Sequence, residues 1–375
     1  MLQIHIVKHP HQFDYLFQQI KSATFVAVDT EFHSENRFRP ELMLIQICVQ
    51  RGEVFLVDAL SGLNLDPLGK LLGQKTIITH GGREDYRILY RETGLRAARV
   101  YDTQIMAGLL GWTYPMRLDH LIETSLEVKL NKGSTLSNWS TRPLTKQQIN
   151  YAAEDANQLL PLFNQLKMLL VAESKYQLSE TASIEYMENA LRPKMPEDVW
   201  PYWSIAEGLN EVQRNVLNHL LTWREEIALE KDRPSNYILP NNMAIDLARR
   251  VPKSVAEIRE NRKISGRLVS RFGNELIKCI QKGKRDTSRY RVLDSSARKT
   301  SKTLQLWSIA FSNMMSINPS LLLAERLSQQ IAMFGAEDGL EGWRKSIIEA
   351  PLRDFLNGEA AICMDANGPT LTTIK

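Results

Sequence analysis

The chain has 375 residues, 43% of them hydrophobic and 24% charged, a globular composition too long for one ordinary core and suited to two or three domains. No apolar run approaches the roughly 20 residues of a membrane span, and Met1-Leu2-Gln3-Ile4-His5-Ile6 shows no basic segment leading into a long apolar stretch, so no signal peptide is expected. Cys48, Cys279 and Cys363 are scattered and odd in number, which excludes a disulfide framework or a cysteine-paired metal site and makes a reduced cytoplasm the expected setting.

The net charge of +4 is unevenly spread. Residues 1–200 carry 21 basic and 23 acidic side chains, residues 201–300 carry 20 and 12, and residues 301–375 carry 6 and 8. The basic middle suits a phosphate-contacting surface; a solvated helical face gives the same count.

In chain order, Phe25–Val28, Met43–Val49 and Val54–Val57 read as buried strands, and the short links between them suit antiparallel neighbours. A helical stretch near Pro67–Leu72 and a strand at Thr76–Thr79 follow, then helices over Arg83–Tyr90 and Thr103–Leu110. Thr145 is placed to cap a long helix running to about Leu170. This order predicts a mixed α/β sheet with helices on its faces. After residue 200 strands fade: Leu209, Val212, Val216, Leu220, Trp223 and Ile227 recur at helical spacing. A polar, basic stretch from Lys282 to Ser301 reads as a linker, and a second helical block of similar layout follows from Leu304, which points to a diverged tandem repeat. Gly368–Lys375 reads as a frayed tail.

Acidic residues stand where apolar elements end. Asp29 and Glu31 follow the first strand two residues apart, so both side chains point the same way and can converge on one hard cation. Turn chemistry alone also places Asp at such ends. His80-Gly81-Gly82-Arg83-Glu84-Asp85 follows the strand at Thr76–Thr79; its glycines permit a tight turn or close approach, and Asp85 would lie in a first helical turn that favours a carboxylate anyway. Tyr151 and Asp155 are four apart on the long helix and share a face. A hydrogen-bonded core pair and a functional pair fit that spacing equally. Together the segments supply what two-metal phosphodiester cleavage needs: several carboxylates, and a hydroxyl to orient water.

These segments resemble the three exonuclease motifs of the DEDD superfamily, in the subclass whose third motif carries Tyr. The likeness to the ribonuclease D family extends to Val28-Asp29-Thr30-Glu31-Phe32, to Pro40 with Leu44-Ile45-Gln46, to Tyr101-Asp102-Thr103-Gln104, and to Asn138-Trp139-Ser140-Thr141-Arg142-Pro143-Leu144. Asp102 reads as a helix cap, and Trp139 and Arg142 as packing and loop-fixing residues. In the C-terminal half Trp223-Arg224-Glu225, Asp232-Arg233-Pro234, Val251-Pro252 and Arg271-Phe272-Gly273-Asn274-Glu275-Leu276 look like an HRDC module. Residues from about 303 to 365 look like a more divergent second copy. The departure from pattern is in motif two, where Arg83 and Tyr86 flank the acid differently.

The resemblance implies a ribonuclease H-like α/β exonuclease domain over 1–172, a connecting segment over 173–205 and a first HRDC-like helical domain over 206–284. A linker over 285–301, a second HRDC-like domain over 302–366 and a tail over 367–375 complete it. It implies a 3′→5′ exoribonuclease releasing 5′-mononucleotides, with two Mg²⁺ or Mn²⁺ ions held by Asp29, Glu31, Asp85 and Asp155, and Tyr151 aligning the attacking water. The expected partners are RNAs with 3′ extensions, tRNA precursors foremost, with no membrane and no obligate protein partner. His80, Arg249, Arg250 and Lys253 are candidates for substrate contact. The alternatives are a DNA 3′→5′ exonuclease of the proofreading kind and a non-catalytic nucleic-acid-binding scaffold.

Overall fold

The computed structural model describes residues 2–130, 138–366 and 368–374. The N-terminal half folds around six strands: β1 (Gln3–Val7), β2 (Phe25–His33), β3 (Glu41–Gln50), β4 (Glu53–Asp58), β5 (Thr76–Thr79) and β6 (Arg99–Asp102). Their order across the sheet is β1-β4-β3-β2-β5-β6. The pairs β2/β3 and β3/β4 are antiparallel, as the short links predicted, while β1/β4, β2/β5 and β5/β6 are parallel. Helices α1 (Phe13–Ser22), α2 (Asp66–Leu72) and α3 (Arg83–Thr93) cover one face, packing Leu16, Leu68 and Leu89 on Val26, Val28, Ile45 and Ile77. The other face lies under α4 (Thr103–Leu109), α5 (Leu118–Leu126) and the long α6 (Lys146–Ala172), with Ala27, Leu44, Cys48 and Leu56 against Ala152, Ala156 and Phe163. Thr145 caps α6 as predicted, in a reciprocal box with Gln148.

Sequence reading missed the edge strands β1 and β6, and also α1, α5 and α7 (Tyr176–Leu191). This last helix packs on α3 and β6, so the segment expected as a connector belongs in large part to the nuclease half. Beyond it come α8 (Glu211–Lys231), α9 (Ser235–Ile238), α10 (Asn241–Arg250), α11 (Val255–Glu260) and α12 (Gly266–Arg285). They close their own core around Trp200, Val216, Leu220, Trp223, Leu247 and Leu276.

The stretch expected as a linker is coil only over 286–294, because α13 (Ser295–Met315) starts at a capping Asp294. The remaining helices are α14 (Pro319–Leu322), α15 (Glu325–Phe334), α16 (Ala336–Gly339) and α17 (Gly342–Leu356). Helix lengths of 21, 4, 10, 6 and 20 residues from α8 to α12 are followed by 21, 4, 10, 4 and 15 from α13 to α17, the layout of a repeated module.

One expectation fails outright. The segment read as a frayed tail pairs β8 (Gly368–Thr373) with β7 (Ala360–Asp365) in an antiparallel hairpin packed on α13. Pairing gives its backbone amides partners that a free tail would seek from water.

The two helical modules attach differently. Trp307, Phe311, Leu321 and Ile348 of the second belong to the same continuous core as α6 and the sheet. The first touches the β2–β3 loop, where Asp232, at the C-cap of α8, accepts hydrogen bonds from the backbone N–H groups of Phe38 (3.1 Å) and Arg39 (2.9 Å).

Candidate active site

Asp29 and Glu31 stand on the α6 side of β2, and a register shift just after Glu31 breaks the ladder with β3. Such a bulge re-aims the strand end. Asp85 falls in the first turn of α3, as predicted, where the hydroxyl of Thr30 donates to its carboxylate. The turn before it depends on both glycines. Gly81 has φ +59°, and a Cβ on Gly82 would lie 2.2 Å from the hydroxyl of Thr79. Asp102 holds this turn: buried, it accepts the N–H groups of Gly81 (2.9 Å) and Gly82 (3.0 Å) as well as Gln104 (2.9 Å). It caps α4, as the sequence suggested, and ties that cap to the segment bearing Asp85.

Asp155 lies on α6 one turn after Tyr151, whose hydroxyl bonds its carboxylate. The four carboxylates, all half-buried, feel one another. Burial pushes Asp29 well above the usual carboxylate range, and the charges of Asp85, Glu31 and Asp155 push it further. Glu31 is raised to about 8 by burial and then by Asp155 and Asp85. Asp85 is raised to about 6 by burial, against the lowering hydrogen bond from Thr30. Asp155 is raised to about 6 by burial, with the Tyr151 bond opposing.

Among the described residues no three acidic, histidine or cysteine side chains close into a ready-made metal cage. The carboxylates stand within electrostatic reach without being drawn together, as bare like charges would. Four oxygen-donor groups with no thiolate or imidazole among them fit a hard divalent cation, whose charge would relieve the repulsion.

The other sequence candidates fall elsewhere. His80 spends both ring nitrogens inside the domain, Nδ1 on the Thr103 hydroxyl and Nε2 on the Met116 carbonyl, each at 2.9 Å, which leaves neither for RNA. Burial holds this imidazole below its ordinary pKa. Arg249, Arg250 and Lys253 are exposed at the end of α10 and the turn after it, and Arg250 pairs with Asp246 at 3.0 Å. Of the unusual residues in motif two, Tyr86 is buried with its hydroxyl accepting from Ala97 N–H (3.2 Å), and Arg83 lies 5.6 Å over the ring of Tyr186. Both pack the helix rather than face the carboxylates.

Trp139 is buried and its ring is 6.2 Å from that of Tyr151. Arg142 fixes the loop that carries Trp139: beyond its ion pair with Asp58, it donates to the carbonyls of Met43 (2.9 Å), Trp139 (2.7 Å) and Thr141 (2.9 Å). Neither Asp58 nor Thr30 shows its role in the sequence; each passes for an ordinary strand residue.

Comparison with known proteins gives the family and the fold. Residues 4–170 match the 3′–5′ exonuclease family and residues 213–280 the HRDC domain. A ribonuclease D of Pseudomonas paraeruginosa is 28% identical over 340 residues, 87% of this chain and 90% of that one. A ribonuclease D of Zymomonas mobilis is 31% identical over 275 residues, 71% and 69% of the two chains. In fold, the chain superposes on the crystal structure of Escherichia coli RNase D, described as an exoribonuclease involved in structured RNA processing. The TM-score is 0.85 with 24% identity, over 95% of this chain and 99% of that one. This chain, with its sheet, its carboxylates and its two helical modules, belongs to the ribonuclease D family of 3′→5′ exoribonucleases.

Proposed function

We propose that the enzyme trims the 3′ ends of structured RNAs, tRNA precursors foremost, and that Asp29, Glu31, Asp85 and Asp155 hold two divalent ions, Mg²⁺ or Mn²⁺. RNA as substrate and a divalent metal as cofactor come with the family; the particular RNA, the ion and its count are this reading. The observation that carries it is one of placement: β2, the first turn of α3 and α6 bring four half-buried carboxylates within electrostatic reach, and Asp29 and Glu31 resist ionisation there, first through burial and then through the charges of the neighbouring acids. A fold keeps such a cluster where something positive is to bind. When bound, two such ions supply positive charge to the attacking and leaving oxygens of phosphodiester hydrolysis.

The chain's own groups do the rest. Tyr151 offers its hydroxyl to a water in line with the scissile phosphorus, and its hydrogen bond with Asp155 sets where that hydroxyl sits. Asp102 and the glycine turn hold Asp85 in place. The exposed Arg249, Arg250 and Lys253 of the basic module offer sequence-independent contacts to RNA phosphates. The test is incubation with a 3′-extended tRNA and a matched DNA, with and without divalent metal. Metal-dependent release of 5′-mononucleotides from the RNA supports the reading. Preference for the DNA, or binding without hydrolysis, overturns it.

A further inference from the structure

Strand β3 runs Glu41-Leu-Met-Leu-Ile-Gln-Ile-Cys-Val-Gln50, and one polar residue interrupts its apolar interior. That residue, Gln46, is 0% exposed, and neither Nε2 nor Oε1 has a hydrogen-bond partner among the described residues. Burying an amide unpaired is unfavourable, and native folds seldom leave both ends of one unmet. The other buried glutamine, Gln148, bonds the Asn138 carbonyl, and the half-buried Gln104 bonds the Met116 carbonyl; the half-buried Gln158 also leaves its Oε1 unmet, but Gln46 leaves both ends of its amide so.

The position of Gln46 suggests what it is kept for. In the β2/β3 register it stands directly opposite Asp29, and directly opposed residues of an antiparallel pair share a face with Cβ atoms about 4.5–5.5 Å apart. Its partner on the other side is Leu56, and α6 roofs this face with Ala152, Ala153 and Ala156. Asp29 is thus the charged group beside it, on a face otherwise lined by Ala27, Leu44, Cys48 and Leu56. A leucine here would fill the space without the cost.

We propose that Gln46 is a positioning residue for Asp29: its amide N–H closes on the Asp29 carboxylate once a divalent cation gathers the four acids, fixing which oxygen faces the ion. The inference rests on reading Asp29 as a metal ligand. Groups that orient a ligand in this way commonly alter metal affinity 10–100-fold when removed.

The test needs no RNA. Gln46→Met and Gln46→Leu are made in the full chain, and thermal melting is followed in EDTA and across a Mg²⁺ titration, with Asp29→Asn beside them. Expected are metal-free melting temperatures equal to or above the parent's, since the unpaired amide is gone. The Mg²⁺ concentration giving half the stabilisation should rise about tenfold. An unchanged Mg²⁺ midpoint in either folded variant overturns the proposal, and so does a lowered metal-free melting temperature in both with that midpoint kept. Asp29→Asn separates the two readings. If it retains the full Mg²⁺ response, Asp29 is no ligand and the reading of the site falls. If it loses that response while the Gln46 variants keep theirs, the Gln46 proposal alone falls.

Discussion

Arg142 grips Asp58 with two parallel hydrogen bonds, Nε to Oδ2 and a terminal nitrogen to Oδ1, each 2.8 Å. This fork anchors the loop carrying Trp139, and Trp139 packs on Tyr151, so the anchor lies two steps from the proposed water-positioning hydroxyl. Lysine keeps the charge but not the fork. Arg142→Lys is expected to lower kcat about tenfold, at the low end of positioning effects. In a Tyr151→Phe background the further loss should be under about twofold, because residues acting through one another are not additive. A double-mutant cycle measures this, and equal losses in both backgrounds would show that Arg142 acts independently of Tyr151.

Asp29→Asn and Asp155→Asn should each leave a folded protein with hydrolysis reduced by roughly 10³-fold or more, since losing a metal ligand removes several kcal/mol of transition-state stabilisation. Mononucleotide release at saturating Mg²⁺ is the measurement. Near-normal activity in Asp29→Asn would remove it from the ligand set.

Tyr151→Phe should cost about 10–10³-fold in kcat with metal affinity little changed. The lost hydroxyl also carries a sign. Its hydrogen bond lowers Asp155 from where burial alone would put it, so without it that carboxyl holds its proton to higher pH. That proton competes with the ion, so the pH below which Mg²⁺ binding is lost should move upward while affinity at pH 8 stays, and a limit that stays or moves down contradicts the bond.

Metal-free stability should fall as pH rises. Glu31 near 8 and Asp85 and Asp155 near 6 are raised above their unfolded values of about 4. Each therefore favours the fold fully below about pH 4 and loses that contribution through pH 6 to 8. A bound cation reverses the trend by preferring the ionised forms and releasing protons. Melting in EDTA and in Mg²⁺ at pH 5.5 and 8 checks this: the Mg²⁺-induced rise should be larger at pH 8.

Charge reversal at Arg249, Arg250 and Lys253 should weaken binding of a tRNA-like RNA and flatten its salt dependence, since each lost phosphate contact lowers the slope of log affinity against log salt by about 0.9 on a duplex. Cleavage of a very short oligonucleotide should be unaffected. An unchanged slope places these side chains away from the RNA.

The central strands, the long capped helix and the four acids were readable because each follows from local chemistry: β-branched runs, a Thr cap, carboxylates at strand ends. The edge strand β6, Arg-Val-Tyr-Asp, is too short to show a period, β1 owes its form to β4 far away in the chain, and the hairpin of β7 and β8 rests on α13. The motif residues of the site were visible, but not what holds them. Asp58 with Arg142 and Thr30 with Asp85 are contacts 84 and 55 residues apart, and no spacing rule reaches that far. Leu209 and Trp223, whose helical spacing the sequence shows, pack inside the first helical module, and no local pattern says which core they join.

Because Trp307 and Phe311 complete the core lined by α6, a chain ended near residue 200 would bare that side of the nuclease and melt early. The detachable piece lies in the middle. The module from α8 to α12 has its own core, and its two flanks already meet where the Leu293 N–H donates to the Pro201 carbonyl at 2.9 Å. The chain is thus laid out as one body interrupted by a guest, like a protein accommodating an inserted domain at a point where the ends lie close together. Removing the guest and bridging its flanks with a short turn should return a folded nuclease, which cutting off the C-terminal half would not.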